Sequence, residues 1–572
     1  MSIKARLAGL FHVGGKHQVC GRAAAHNGPM HRITRTQGAA LFDTASTRRL
    51  ELTAQAGLPP HSLMRRAGLA VARLALALRP HARCIWIACG PGNNGGDGFE
   101  AAAHLQRWGQ NYGLHVVVTW TETHMGEDGG IKRLPPDAQV AHGAALAAGV
   151  RIADLPPAHF DLSIDALLGL GACYDANRPA SALMAQWLGV MHTARAPCLA
   201  VDLPTWLDAD TGSYPDSCLP RAESVSKLIA PQAVNAWTTA RFTLSFLTLK
   251  PGLFTASGRD AAGEVWFDDL GVSQPDEPPC AWLMGDACVP LTRAEASHAS
   301  HKGSFGDVAV VGGESTAGSH MVGAAVLAAR AALHAGAGRV FVSLLASRPV
   351  TNMPGVEGSS SNSALQVDIL QPELMFRQVD ALELTQQVIV AGCGGGHAIH
   401  EVLPQLLAQA TRLVLDADAL NAIADSPALQ AALIQRGSRT QADGATTQTV
   451  LTPHPLEAAR LLGTTSQAVQ SDRLSAAQSL AERFCAVIVL KGSGTVVAAP
   501  GEIPRINATG NALLATAGTG DVLAGMVGAC LANGLAPTQA ACSAVFTHGR
   551  LADRWAERSQ APLTASALAL QQ

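Results

Sequence analysis

Short apolar runs alternate with longer Ala-rich stretches along the chain, and the runs stop at Gly- or Asp-rich turns. Residues 84–88, 114–119, 198–201, 308–311, 388–391, 413–415 and 487–490 are continuous apolar runs, not alternating ones. Such runs, bounded by turn formers, predict strands buried on both faces, and the Ala-rich stretches between them predict covering helices. The expected fold class is α/β with parallel, doubly wound sheets, whose ligands bind beyond the carboxyl ends of the strands. The stretch 273–279, with three prolines, continues neither a helix nor a central strand. At 572 residues the chain also exceeds one ordinary core. Two domains are expected, 35–272 and 290–572, with a linker at 273–289 and a disordered extension at 1–34. Residues 213–231 and 351–363 read as irregular insertions.

Composition narrows the partners. The chain is 48% hydrophobic, 15% charged and 4% aromatic, with a net charge of −3. That balance offers no basic surface for nucleic acid or membrane, and the aromatics are too sparse for base stacking. No run reaches the roughly 18 apolar residues a membrane span needs. The 12 cysteines contain no C-x-x-C pair, and Cys84, Cys198, Cys485 and Cys530 sit within apolar runs. They read as buried free thiols in a reducing, cytoplasmic compartment.

The candidate chemistry lies at the predicted strand ends. Residues 518–525 form a glycine turn entering an apolar helix, whose free amides make an anion site. Asp521 repels a phosphate there, so its sense is proton handling beside a transferring phosphoryl group. Upstream, four glycines fall between positions 92 and 98, around Asn93, Asn94 and Asp97, and a helix is expected at 100–108. Further strand ends carry Asp165, Asp202 and Thr205. With Asn94 these are hard oxygen donors, suited to an alkali or alkaline-earth ion and not to zinc. In the second half, Lys491 with Gly492, Gly494 and Thr495 offers a cation and flexible amides to a nucleotide phosphate, without the order of a P-loop. Asp416 and Glu457 are expected to position Mg²⁺ through water, and His454, between two prolines, to contact ligand.

Residues 92–98, 165–169 and 201–212, with 63–68 and 248–252, resemble the YjeF N-terminal domain, the NAD(P)H-hydrate epimerase. The resemblance covers 35–272 and implies a Rossmann-like three-layer fold. It places Asn93, Asn94, Gly95, Gly96 and Asp97, with Gly169, Leu170, Gly171, Ala172, Cys173, Tyr174 and Asp175, around the hydrate NAD(P)HX. It further implies that Asn94, Asp165 and Thr205 hold K⁺, and that Asp202 binds the nicotinamide part as the acid/base. Trp206 departs from the family's small residue and is expected to crowd this pocket.

Residues 415–421, 452–457 and 518–523 resemble the YjeF C-terminal domain, the ADP/ATP-dependent NAD(P)H-hydrate dehydratase, with a ribokinase-like three-layer fold over 290–572. This implies that Ala324, Gly396, His454 and Asp521 contact the hydrate, with Asp521 catalytic. Lys491, Gly492, Ser493, Gly494, Thr495 and Gly520 are assigned to the nucleotide, accompanied by Mg²⁺. Cys393 stands where the family has proline. Together the resemblances imply repair of NADHX and NADPHX: epimerisation, then ADP- or ATP-dependent dehydration, by a homo-oligomer without nucleic-acid or membrane partners. The alternative is a ribokinase-like small-molecule kinase fused to a non-catalytic nucleotide-binding module.

Overall fold

The computed structural model describes residues 30–121, 134–170, 179–214, 242–289, 297–316, 318–346, 367–442 and 447–571. Residues 1–29 of the expected extension, 215–231 of the first insertion and all of 351–363 lie outside the described residues. The chain forms two compact units, 1–34 with 40–280, and 35–39 with 281–572.

The first unit carries α1 (Thr44–Gly57), α2 (Ser62–Leu78), β1 (Cys84–Cys89), α3 (Asn93–Gly109), β2 (His115–Trp120), α4 (Pro136–Ala147), β3 (Arg151–Ala153) and β4 (Leu162–Ala166). It continues with α5 (Pro179–Thr193), β5 (Cys198–Val201), β6 (Phe242–Phe246) and β7 (Glu264–Asp268). Its sheet runs β7–β6–β5–β4–β1–β2–β3, all parallel, and His31–Arg32 pair antiparallel to β7 at the edge. The pleat divides β1 between two cores. Ile85 and Ile87 pack with Val71, Leu74 and Phe99, whereas Trp86 and Ala88 pack with Trp187 and Leu188. Helices therefore cover both faces, which is why the strand is apolar throughout.

The second unit contains β8 (Asp307–Thr316), α6 (Val322–His334), β9 (Arg339–Ala346), β10 (Val388–Ala391), α7 (Ile399–Gln409), β11 (Arg412–Leu415), α8 (Asp418–Asp425) and β12 (Gln448–Leu451). After these come α9 (Pro455–Leu462), β13 (Val487–Leu490), β14 (Val496–Ala498), α10 (Thr519–Ala532) and α11 (Pro537–Arg558). The parallel order is β9–β8–β10–β11–β12–β13, and β14 joins β13 antiparallel. Val308 and Val310 face a core shared with α6, α10 and α11, while Ala309 and Val311 face the one shared with α7 and α8.

Two expectations are corrected. The stretch read as a linker, 273–289, contributes a strand at Ala281–Leu283 that pairs with Arg505–Ile506, so the second unit begins at Ala281. The helix expected at 100–108 starts at Asn93, so the glycine-rich stretch is helix and not loop. Glycine disfavours a helix by about 1 kcal/mol per residue. Here close packing decides, because a Cβ on Gly95 would stand 2.0 Å from the Gly90 carbonyl oxygen, and one on Gly98 2.7 Å from the Ala166 Cβ.

Candidate active sites

In the first unit that close approach sets the start of α3 against the carboxyl ends of β1 and β4. A cavity of about 360 Å³ opens there, lined by Asn93, Asn94, Asp97, Gly169, Leu170 and Asp202 among others. Gly95 and Gly96 lie behind the wall; a Cβ on Gly96 would meet the Met64 side chain. Gly171, Ala172, Cys173, Tyr174 and Asp175 lie outside the described residues. Trp206 is not on the cavity wall. It is buried at φ 70° in the core with Trp86 and Trp187, so the expected crowding is absent.

Asp202 ends β5 in a left-handed conformation, φ 64°, and accepts from the Lys250 ammonium at 2.5 Å and the Phe246 amide at 3.0 Å. Lys250 is fully buried and also donates to the Phe246 carbonyl at 2.8 Å and the Ser245 hydroxyl at 3.2 Å. Nothing local in residues 248–252 marks Lys250 as the partner of Asp202. Arg48 and Glu51, from α1, also line the cavity and went unnoticed, because nothing in an ordinary amphipathic helix marks its distant partners. Burial holds Asp97 well above the usual carboxylate range, reinforced by repulsion from Asp202, Glu51 and Glu100.

Asp165 is buried at the end of β4 and accepts from the Thr205 amide at 3.0 Å, the Thr205 hydroxyl at 2.7 Å and the Leu167 amide at 3.2 Å. Burial raises its pKa and these neutral donors oppose the rise. The Thr205 oxygen also accepts from the Leu168 amide at 3.1 Å, and a Cβ on Gly169 would lie 3.2 Å from the Asn94 Oδ1. Asn94 and Thr205 thus flank the same turn, and the buried Asn94 Nδ2 has no hydrogen-bond partner among the described residues. A buried carboxylate served by neutral donors, beside hydroxyl and amide groups, fits an alkali cation.

In the second unit the ends of β10, β11, β12 and β13 converge on the start of α10. Asp416, 1% exposed, accepts from the Lys491 ammonium and the Thr452 hydroxyl, each at 2.7 Å. Lys491 also lies 4.0 Å from Glu457, and a Cβ on Gly520 would be 3.4 Å from its nitrogen. Burial alone would lower the Lys491 pKa, but Asp416 and Glu457 hold it above its ordinary value. Ligand atoms of Cys393, Asp416 and Asp521 all fall within 4.8 Å of one another. Burial pushes Asp521 up to about 7, with further repulsion from Asp416, opposed by the Cys393 thiol and Lys491. Burial likewise brings Glu457 to about 7.

His454 caps α9: its Nδ1 accepts from the amides of Leu456 and Glu457, and its Nε2 stands 3.2 Å from a Glu457 oxygen. Its pKa is lowered by burial and by Lys491. Gly396 donates its amide to Asp418 at 2.9 Å, and Ala324 underlies the same turn, since a Cβ on Gly394 would be 3.0 Å from the Ala324 Cβ. Beyond Lys491, the segment Gly492, Ser493, Gly494 and Thr495 turns at Gly492, φ 131°, where the Thr495 hydroxyl donates to the Gly492 carbonyl.

Three supporting residues had escaped the sequence. The Glu314 carboxylate accepts from the His397 and Ala398 amides and shapes the Gly396 turn. Buried Arg473 donates to the carbonyls of Leu490 and Lys491, each at 3.1 Å. His548, lowered to about 4 by burial, holds the Thr519 carbonyl at 2.9 Å. None belongs to a glycine motif, and each acts on a segment far away in sequence. Asp416 and Glu457, expected to position Mg²⁺ through water, lie together around the Lys491 ammonium. Asp416 also accepts from Thr452, and Glu457 from the His454 amide at 2.8 Å. Every described cysteine is a free thiol, and no described helix is long and apolar enough to cross a membrane.

Comparison with known proteins agrees with this division. Residues 60–252 match the family model of the YjeF-related protein N-terminus, and residues 308–571 that of the NAD(P)H-hydrate dehydratase. The bifunctional NAD(P)H-hydrate repair enzyme Nnr of Escherichia coli (strain K12) is 33% identical, over 88% of this chain and 86% of that protein. Its namesake from Coxiella burnetii is also 33% identical, over 90% of this chain and 95% of its own. The ADP-dependent (S)-NAD(P)H-hydrate dehydratase of Neisseria meningitidis is 40% identical, over 44% of this chain and 78% of its own. Two α/β units with their polar groups gathered at strand ends, matched along most of their length, place the chain in the family of bifunctional NAD(P)H-hydrate repair enzymes.

Proposed function

We propose that the first unit interconverts the R and S forms of NAD(P)HX. The second dehydrates the S form to NAD(P)H, consuming ADP or ATP and releasing phosphate with AMP or ADP. The observation that carries the reading is Asp521, a half-buried carboxyl poised near 7 at the mouth of α10, with Lys491 beside Gly520. An acid with that pKa is matched to removing a hydroxyl proton near neutrality.

In dehydration, Asp521 takes the proton of the C6 hydroxyl as its oxygen attacks the terminal phosphoryl group of the nucleotide. The first-turn amides of α10 and the Lys491 ammonium stabilise the charge on the transferring group. Phosphate then leaves C6 with its bonding electrons, C5 loses a proton, and the ring double bond returns. In epimerisation, Asp202 faces the nicotinamide ring as the acid/base, held by Lys250. Asn94, Asp165 and Thr205 would hold K⁺, which supplies positive charge to an otherwise uncompensated buried carboxylate. Mg²⁺ would accompany the nucleotide, positioned through water by Asp416 and Glu457, and would supply positive charge to the phosphates. We place the protein in the cytoplasm as a homo-oligomer; size-exclusion chromatography with light scattering tests the latter.

The decisive assay mixes the protein, ADP and Mg²⁺ with R,S-NADHX. Recovery of the dihydronicotinamide absorbance for both epimers, with one phosphate and one AMP per turnover, is the expected result. A stable phosphoester product would instead mark a small-molecule kinase, and consumption of only S-NADHX would remove the epimerase.

A further inference from the structure

The epimerase cavity presents carboxyl groups in contrasting surroundings. Asp202 is ion-paired with a fully buried lysine and accepts a backbone amide. Asp97, one turn into α3, lines the same cavity, and among the described residues its carboxyl has neither a hydrogen-bond donor nor an ion-pair partner. Its titratable neighbours are acids: Asp202 from the end of β5, Glu51 from α1 and Glu100 on its own helix, with the Cys89 thiol at the end of β1. Of the charged groups on the cavity wall, Arg48 belongs to α1 and Asp137 to α4, while Lys250 is tied to Asp202. A carboxyl without donors, among acids, is the one that keeps its proton, while Asp202 across the same cavity holds the Lys250 ammonium at 2.5 Å. Two carboxyls in such contrasting surroundings on one cavity can serve as an acid/base pair.

Resting on the epimerase reading, we propose that Asp97 is a catalytic general acid of that reaction. C6 of the hydrate bears both the hydroxyl and the ring nitrogen N1. Asp97 gives its proton to the hydroxyl oxygen, the C6–O bond breaks to release water, and the N1 lone pair forms the N1=C6 iminium. Water then adds to C6 from the other face, N1 recovers its lone pair, and the surplus proton passes to the Asp202 carboxylate. The net transfer from Asp97 to Asp202 is reversed through solvent. Reaction in the opposite direction exchanges the two roles.

The test follows conversion of purified R-NADHX to S-NADHX by chromatography, without nucleotide, so that dehydration does not intervene. Asp97→Asn keeps the shape and loses the acid. The expected result is a fall in kcat of at least about 100-fold, with KM changed by less than about threefold. Wild-type kcat should decline as pH rises through the ionisation of Asp97. That alkaline limb should vanish in Asp97→Asn and return, with part of the rate, in Asp97→Glu. Dehydration of S-NADHX with ADP and the thermal midpoint report folding in the same samples. Wild-type kcat in D97N, or a limb removed by Glu51→Gln and kept by D97N, overturns the proposal alone. A wild-type protein unable to convert R-NADHX overturns the epimerase reading and this proposal with it.

Discussion

Asp416→Asn offers a quantitative test of the dehydratase site. A carboxylate oxygen of Asp416 lies within 4.8 Å of one of Asp521. Two unit charges at that separation, in an effective dielectric of about 20, repel by about 3.5 kcal/mol. That corresponds to roughly 2.5 pH units in the ionisation of either. Lys491, at 2.7 Å from Asp416, offsets part of this repulsion in the native site. Asparagine keeps the acceptor for Thr452, removes the like charge and leaves the Lys491 ammonium without its main partner. Both changes favour ionised Asp521, which starts from about 7. The acid limb of kcat/KM for S-NADHX dehydration should therefore move from near pH 7 to about pH 5, whatever the change in absolute rate. Initial rates at saturating ADP across pH 4.5 to 9 measure it, the range being set by about two units either side of the limb. A limb that stays near pH 7, or moves upward, refutes the assignment of Asp521 as the base. Glu457, also near 7, would take its place if Glu457→Gln removed the limb.

Asp521→Asn should lower dehydration at least about 100-fold while ADP still binds, as read by calorimetry. Because the folded carboxyl is raised from 3.8 to about 7, its contribution favours the folded state below about pH 4 and is lost as pH rises through 7. The asparagine variant escapes that loss, so its thermal midpoint should exceed wild type more at pH 8 than at pH 4, and equal differences would refute this. Lys250→Met strands the Asp202 charge and should destabilise the first unit by about 3–5 kcal/mol in a thermal or urea melt. Epimerisation should be lost while S-NADHX dehydration persists. Gly396→Ala puts a Cβ 1.8 Å from a Glu314 carboxylate oxygen at φ 52°, so dehydration should fall with epimerisation intact. Replacing K⁺ by N-methylglucamine should slow epimerisation and lower the thermal midpoint, and Asp165→Asn should abolish both dependences.

Much of the fold was legible because a strand buried on both faces has to be apolar throughout. The runs at 84–88, 198–201, 388–391 and 487–490 appear as β1, β5, β10 and β13. The parallel-sheet rule then directed attention to strand ends: Asp202 and Lys491 follow β5 and β13, Asp165 and Asp416 stand at the ends of β4 and β11, and Asp521 opens α10. The glycines at 95–98 fall outside the helix expected at 100–108 because intrinsic propensity opposes a helix there. The gain lies in helix–strand contact with Gly90, Ala166 and Cys89, which local sequence does not display. Glu51, Glu314 and Arg473 were missed for a related reason: each serves a segment distant in sequence, and none carries a motif of its own.

By itself, then, the chain's sequence determined the α/β class, the two-domain division and which strand ends carry polar groups. These follow from local patterning, which a chain displays before it folds. The tertiary structure decided which acid sits beside which cation: Lys250 with Asp202, Lys491 with Asp416, and Asp97 with none among the described residues. It also decided that Trp206 fills a core and leaves the cavity free. Charge states answer to burial and to neighbours through space, so the chemistry of these sites is set only when distant strand ends meet.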